Sequence, residues 1–126
     1  MIRAPLMAMS LALAAPCADA QSIRDEWCPE GPGPITYLDE FGVGFGDHIT
    51  CEVNTLPPET DPVYAVALTC TRNQPTGEID ASGNEVIHSQ PVPDLAWLVA
   101  LLLPDDRLAI YLDVNNQTQI LSRCNF

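Results

Sequence analysis

Residues 41–47 read FGVGFGD, with glycine at positions 42, 44 and 46. The fold class turns on this stretch. A dinucleotide loop needs a strand before it and a helix after it, so that the helix N-terminus faces the phosphates. Here Asp47, His48, Ile49 and Thr50 continue as strand. The spacing G-x-G-x-x-G would place its third glycine where Asp47 stands, and a carboxylate repels phosphate. A P-loop needs a lysine, and the chain has none. As a strand, the stretch sends Phe41, Val43 and Phe45 to one side and leaves the opposite side bare. Phe41, Val43 and Phe45 are therefore expected to be buried. Gly42, Gly44 and Gly46 are expected to face a bend, a neighbouring segment, or a bulky side chain such as Trp27 or Trp97.

The same period of two extends outward. Residues 35–38 (ITYL) form one strand-like segment. In residues 48–53 (HITCEV), Ile49, Cys51 and Val53 share a face. In residues 63–72 (VYAVALTCTR), Tyr64, Val66, Leu68 and Cys70 share a face opposite small or polar groups. Asp80 to Asn84 (DASGN) reads as a turn between segments 77–80 and 85–88. Residues 95–103 are continuously apolar and could form a short helix capped by Asp94. They end at Pro104-Asp105-Asp106-Arg107, a type I turn sequence, so a hairpin into residues 108–112 is expected. Asn115-Asn116 turns into a last strand, 118–124. The fold predicted is all-β: a small antiparallel barrel or sandwich of about seven short strands.

At the N-terminus, Arg3 precedes the ten-residue apolar run 6–15 (LMAMSLALAA) and Ala18-Asp19-Ala20. This is the pattern of a signal peptide over residues 1–20, cut before Gln21. Excluding 20 of 126 residues leaves 106, one small domain. Within it, residues 21–34 form a lead-in where Pro29, Gly31, Pro32, Gly33 and Pro34 argue against regular structure, and residues 35–126 form the single β domain. No later apolar run is long enough to span a bilayer. The expected location is the periplasm or the medium.

Four cysteines follow the leader: Cys28, Cys51, Cys70 and Cys124. An even count in a small exported chain reads as two disulfides. Zinc would show close ligand pairs, and no Cys-x-x-Cys occurs. Three pairings are possible. Cys51–Cys70 is favoured, because both lie on apolar strand faces, with Cys28–Cys124 tying the ends together.

The whole chain carries a formal net charge of −12. Such a surface repels nucleic acid and anionic membrane and favours a cationic protein partner, metal cations or solubility alone. The acids on exposed loops, Glu59, Asp61, Asp80 and Glu85, are the candidate partner-binding residues. His48 beside Asp47, and His88 near Glu85, could in principle serve metal binding or acid–base chemistry. On a strand, neighbours point to opposite faces, so no metal ligand set is assigned. Ser89 follows His88 directly and no Gly-x-Ser-x-Gly occurs, so no catalytic residue and no cofactor are assigned either.

The order of leader, Trp27-Cys28, Cys51-Glu52-Val53, Leu68-Thr69-Cys70 and Arg123-Cys124 resembles small cysteine-paired exported proteins of Gram-negative bacteria that lack an assigned function. Periplasmic lysozyme inhibitors are a characterised group of similar size, charge and all-β build. Of their Ser-Gly-rich inhibitory loop only Ser82-Gly83 has a counterpart here, and Asn84 stands where a tyrosine would follow. The resemblance implies a non-enzymatic binding or envelope-associated module. An inhibitor of a cationic hydrolase such as lysozyme, or a small hydrolase, are the alternatives.

Overall fold

A computed structural model describes residues 22–125 of the protein, so the stretch read as a signal peptide lies outside the described residues. These residues form ten strands and no helix: β1 (Asp25–Pro29), β2 (Thr36–Asp39), β3 (Gly42–Phe45), β4 (Ile49–Glu52), β5 (Val63–Ala67), β6 (Thr69–Ile79), β7 (Glu85–Pro91), β8 (Trp97–Leu102), β9 (Leu108–Leu112) and β10 (Gln117–Arg123). All belong to one antiparallel sheet in the order β5-β8-β9-β10-β1-β2-β3-β4-β6-β7.

The all-β, antiparallel, two-disulfide expectation holds. The closed barrel of about seven strands does not: the ladder is open and has ten strands. Two features contribute to the difference. The lead-in is irregular only in part: residues 30–34 form no strand, but Asp25–Pro29 pairs with both β2 and β10 and stands fifth in the sheet. Residues 63–72, which read as one strand, are two. β5 pairs with β8 at one end of the ladder, and β6 pairs with β4 near the other, with only Leu68 between them. Because consecutive strands occupy the first and ninth places, the sheet must roll until those two strands come together at Leu68.

Rolling turns one face inward. Cross-strand partners line it in rows: Thr36 opposite Trp27 and Phe45, Val43 opposite Leu38 and Cys51, Leu98 opposite Val66 and Leu112, Ala100 opposite Tyr64 and Ile110. All are buried. The Trp27 indole N–H is satisfied by the Ile23 carbonyl at 2.8 Å, and the Tyr64 hydroxyl donates to the Thr55 carbonyl. Cys51 lies directly opposite Cys70 and is bonded to it, and Cys28 is bonded to Cys124.

The glycine stretch is a strand, with Val43 and Phe45 buried. Phe41 is not buried, contrary to expectation; it is 86% exposed. Asp39 Oδ1 accepts the backbone N–H groups of Phe41 and Gly42, which closes a turn and leaves Phe41 at its tip. The bare face meets neither Trp27 nor Trp97. A Cβ at Gly44 would lie 3.3 Å from the Ile49 carbonyl oxygen and 3.8 Å from the Tyr37 ring. Gly46 has φ +61°, and its N–H donates to the Ile35 carbonyl as the chain turns toward β4.

Candidate functional site

Past Arg72, β6 and β7 leave the body and continue as a two-stranded arm. Strand β4 accompanies β6 only from Thr69 to Arg72, with one further bond from the Asn73 N–H to the His48 carbonyl. From Gln74 to Pro91 every residue is exposed. Pro75 sits inside β6 without breaking it. Arg72 and Gln74 turn their peptide groups toward β7, so Pro75 turns its own toward the β4 side, where no strand remains to need an N–H.

Two devices hold the arm. At its root the Cys51–Cys70 disulfide fastens β6 to β4, two residues before Arg72. At its tip Asp80 Oδ1 accepts the N–H groups of Ser82 and Asn84, each at 2.9 Å, and Gly83 takes a φ of +89°. Between them Thr76 donates its hydroxyl to the Val86 carbonyl, within a register shift spanning Pro75 to Ile79. The arm exposes Ile79, Val86 and Ile87 together with Glu78, Asp80 and Glu85. No lysine or arginine occurs between Arg72 and Arg107.

The four candidate acids are not gathered. Asp80 and Glu85 lie at the arm tip. Glu59 and Asp61 lie before β5, at the opposite end of the continuous segment 63–79. Glu59 is 3.7 Å from the Arg24 guanidinium, and Asp61 accepts the Val63 N–H, fixing the start of β5. Asp80 likewise serves the local backbone, which leaves Glu85 as the acid with no structural task assigned.

Both histidines are exposed. His48 lies in the turn before β4, level with Asn73, and His88 lies opposite Gln74 on β7. Since Asn73 and Gln74 are neighbours on β6, the two imidazoles fall on opposite faces of the sheet. Among the described residues no group of three or more His, Cys, Asp or Glu side chains is placed to hold a metal ion.

Two shallow grooves flank Tyr37 on the outer face. One, of about 390 Å³, is lined by Arg24, Asp25, Glu26, Asp39 and Glu40. Its Asp25 is already bound by Arg123 at 2.7 Å, and Asp39 by the turn N–H groups of Phe41 and Gly42. The other, of about 260 Å³, runs over Gly42 and Gly44. It is the bare glycine face, half closed by Tyr37.

Reading the sequence missed the arm itself. Its sign was present: the segments on either side of DASGN have no apolar face, as suits a hairpin solvated on both sides. Compared with protein-family models, curated proteins and solved structures, the chain matches none.

Proposed function

We propose that the chain is an exported, non-enzymatic binding or envelope-associated module, and that the β6–β7 arm is the part it presents to its partner. The observation that carries this reading is the arm's exposure on both faces. A two-stranded hairpin with no core of its own is marginal in water. This one is nevertheless clamped at its root by a disulfide and shaped at its tip by Asp80. It displays Ile79, Val86 and Ile87, side chains whose exposure a free hairpin gains nothing from. The acids beside them and the net charge of −12 favour a cationic protein as partner. Two disulfides agree with an oxidising compartment.

The experiment is affinity capture from envelope extract, followed by titration of the purified partner. Ile87→Asp should weaken binding at least tenfold while leaving the melting temperature unchanged, and Val114→Asp, away from the arm, should do neither. Equal binding by the Ile87 variant would remove the arm from the reading.

A second reading follows from charge alone: an inhibitor of a cationic hydrolase such as lysozyme, reached by Asp80 to Glu85 at the tip. It predicts inhibition at low salt that Glu85→Gln and added salt both relieve. Unchanged lysozyme activity at low salt with excess protein would eliminate it.

A further inference from the structure

The outer faces of most strands carry polar groups, as a one-sided antiparallel sheet requires: Glu26, Thr50, Thr71 and Thr118 all point away from the core. Strands β5 and β8 break this rule. Their registered outer pairs are Val63 with Leu101, Ala65 with Val99, and Ala67 with Trp97. All six are exposed, Val63 at 50%, Val99 at 41%, Leu101 at 42% and Trp97 at 52%. Neither strand contains a charged side chain, although the chain carries 17 acids. The acids stand at the margins: Asp61 before β5, Asp94 before β8, and Asp105 beyond the end of β8. The face is thus hydrocarbon bounded by carboxylates, on the order of 400 Å² in extent, the size of the largest apolar patch on a typical monomer, which is often functional.

We propose that a second copy of this chain docks on this face, the two outer surfaces of β5 and β8 packing together about a two-fold axis. Charge selects the occupant. A cationic partner drawn by the net charge of −12 would have to bury lysines or arginines against hydrocarbon with no carboxylate to meet them. A second copy brings only the same uncharged surface, and the two-fold arrangement keeps both sets of acids at the rim. Two such patches bury about 800 Å² in total, below the roughly 1,200–2,000 Å² of stable complexes, so the dimer is weak. Each copy carries the same large negative charge, and salt screens the repulsion between them. Dimerisation therefore strengthens with salt, the reverse of what a cationic partner would show. This surface is separate from the arm, and its failure would leave the arm's role untouched.

The test is sedimentation equilibrium of the purified, disulfide-bonded protein from about 10 µM to about 1 mM, a range that brackets a weak dimer. It is run at about 20 mM and about 500 mM sodium chloride, across which the screening length shrinks several-fold. The expected result is a mass rising toward twice the monomer, at several-fold lower concentration in high salt. Val99→Glu should remain monomeric throughout, and Ile87→Glu on the arm should dimerise normally. In the unmodified protein, acrylamide should quench Trp97 less as concentration rises, which tests the contact even if the Val99 variant does not fold. A monomer at every concentration, a dimer untouched by Val99→Glu, or a dimer weakened by salt would each overturn the proposal. So would a monomer that binds phosphatidylcholine vesicles through Val99.

Discussion

The guanidinium of Arg123 stands 4.5 Å above the ring of Trp27, the largest side chain of the core and itself fully buried. The two residues are cross-strand partners on β10 and β1. Arg123 closes the end of the rolled sheet over that ring. It also forks to both oxygens of Asp106 at 2.9 Å, reaches Asp25 at 2.7 Å and donates to the Ser22 carbonyl. Lysine cannot both stack and fork in this way. Arg123→Ala should lower unfolding stability in urea by about 2–3 kcal/mol, and Arg123→Lys should recover less than half of the loss. Full recovery by lysine would mean that only the charge matters.

Tyr64 makes stability sensitive to alkali. Burial pushes its phenol up to about 12. In the unfolded chain a tyrosine ionises near pH 10. The folded state therefore favours the neutral phenol. That contribution is complete below about pH 10 and disappears as the pH rises through about 12. It amounts to at most about 2–3 kcal/mol. Melting temperatures of the native protein should fall faster between pH 10 and 12 than those of Tyr64→Phe, which has no proton to lose. Parallel curves would show that other groups set the alkaline limit.

Much of this architecture was legible, and the misses have physical causes. Strand faces were readable because Tyr64, Val66, Leu68 and Cys70 alternate with exposed neighbours. The break at Leu68 was not, because the alternation is the same whichever strand lies alongside. Hydrogen-bond partners leave no mark on a period of two. Residues 95–103 looked as helical as extended because β8 is apolar on both faces, which erases the period. Its inner Leu98 and Ala100 belong to the core, and its outer Trp97, Val99 and Leu101 do not. The turn after it was readable from Pro104-Asp105-Asp106, and the Asp106 N–H does bond the Leu103 carbonyl. The candidate acids were correctly seen as exposed. Their sequence did not reveal that Asp61 and Asp80 hold their own backbone, because an aspartate that caps a turn and one that binds a partner read alike.

The two disulfides should differ in what they protect. Cys28–Cys124 spans 96 residues and Cys51–Cys70 spans 19, so in the chain-entropy model they contribute about 5 and about 3 kcal/mol. Replacing Cys28 and Cys124 by serine should lower global stability more. Replacing Cys51 and Cys70 should act locally as well, because that bond fastens the root of the arm. Hydrogen exchange at the β6–β7 amides should accelerate in the second double variant beyond what its global loss explains. Arm exchange that rises equally in both variants would show that the root bond does not brace the arm.

Gly44 tests whether the bare face of FGVGFGD is needed for fit. Strand propensity favours valine over glycine there by up to about 1 kcal/mol. Packing opposes it, since the new Cβ would press on the Ile49 carbonyl oxygen at 3.3 Å, which is backbone and cannot swing away. The branches of valine would also meet the Tyr37 ring, already 3.8 Å from the Cβ position. Overlap should win, with Gly44→Val losing about 1–3 kcal/mol in urea unfolding. Adding Tyr37→Ala should restore part of that loss, because the ring can be removed and the carbonyl cannot. A Gly44→Val protein more stable than the native one would mean that the glycine serves the groove above β3 and not the packing of the sheet.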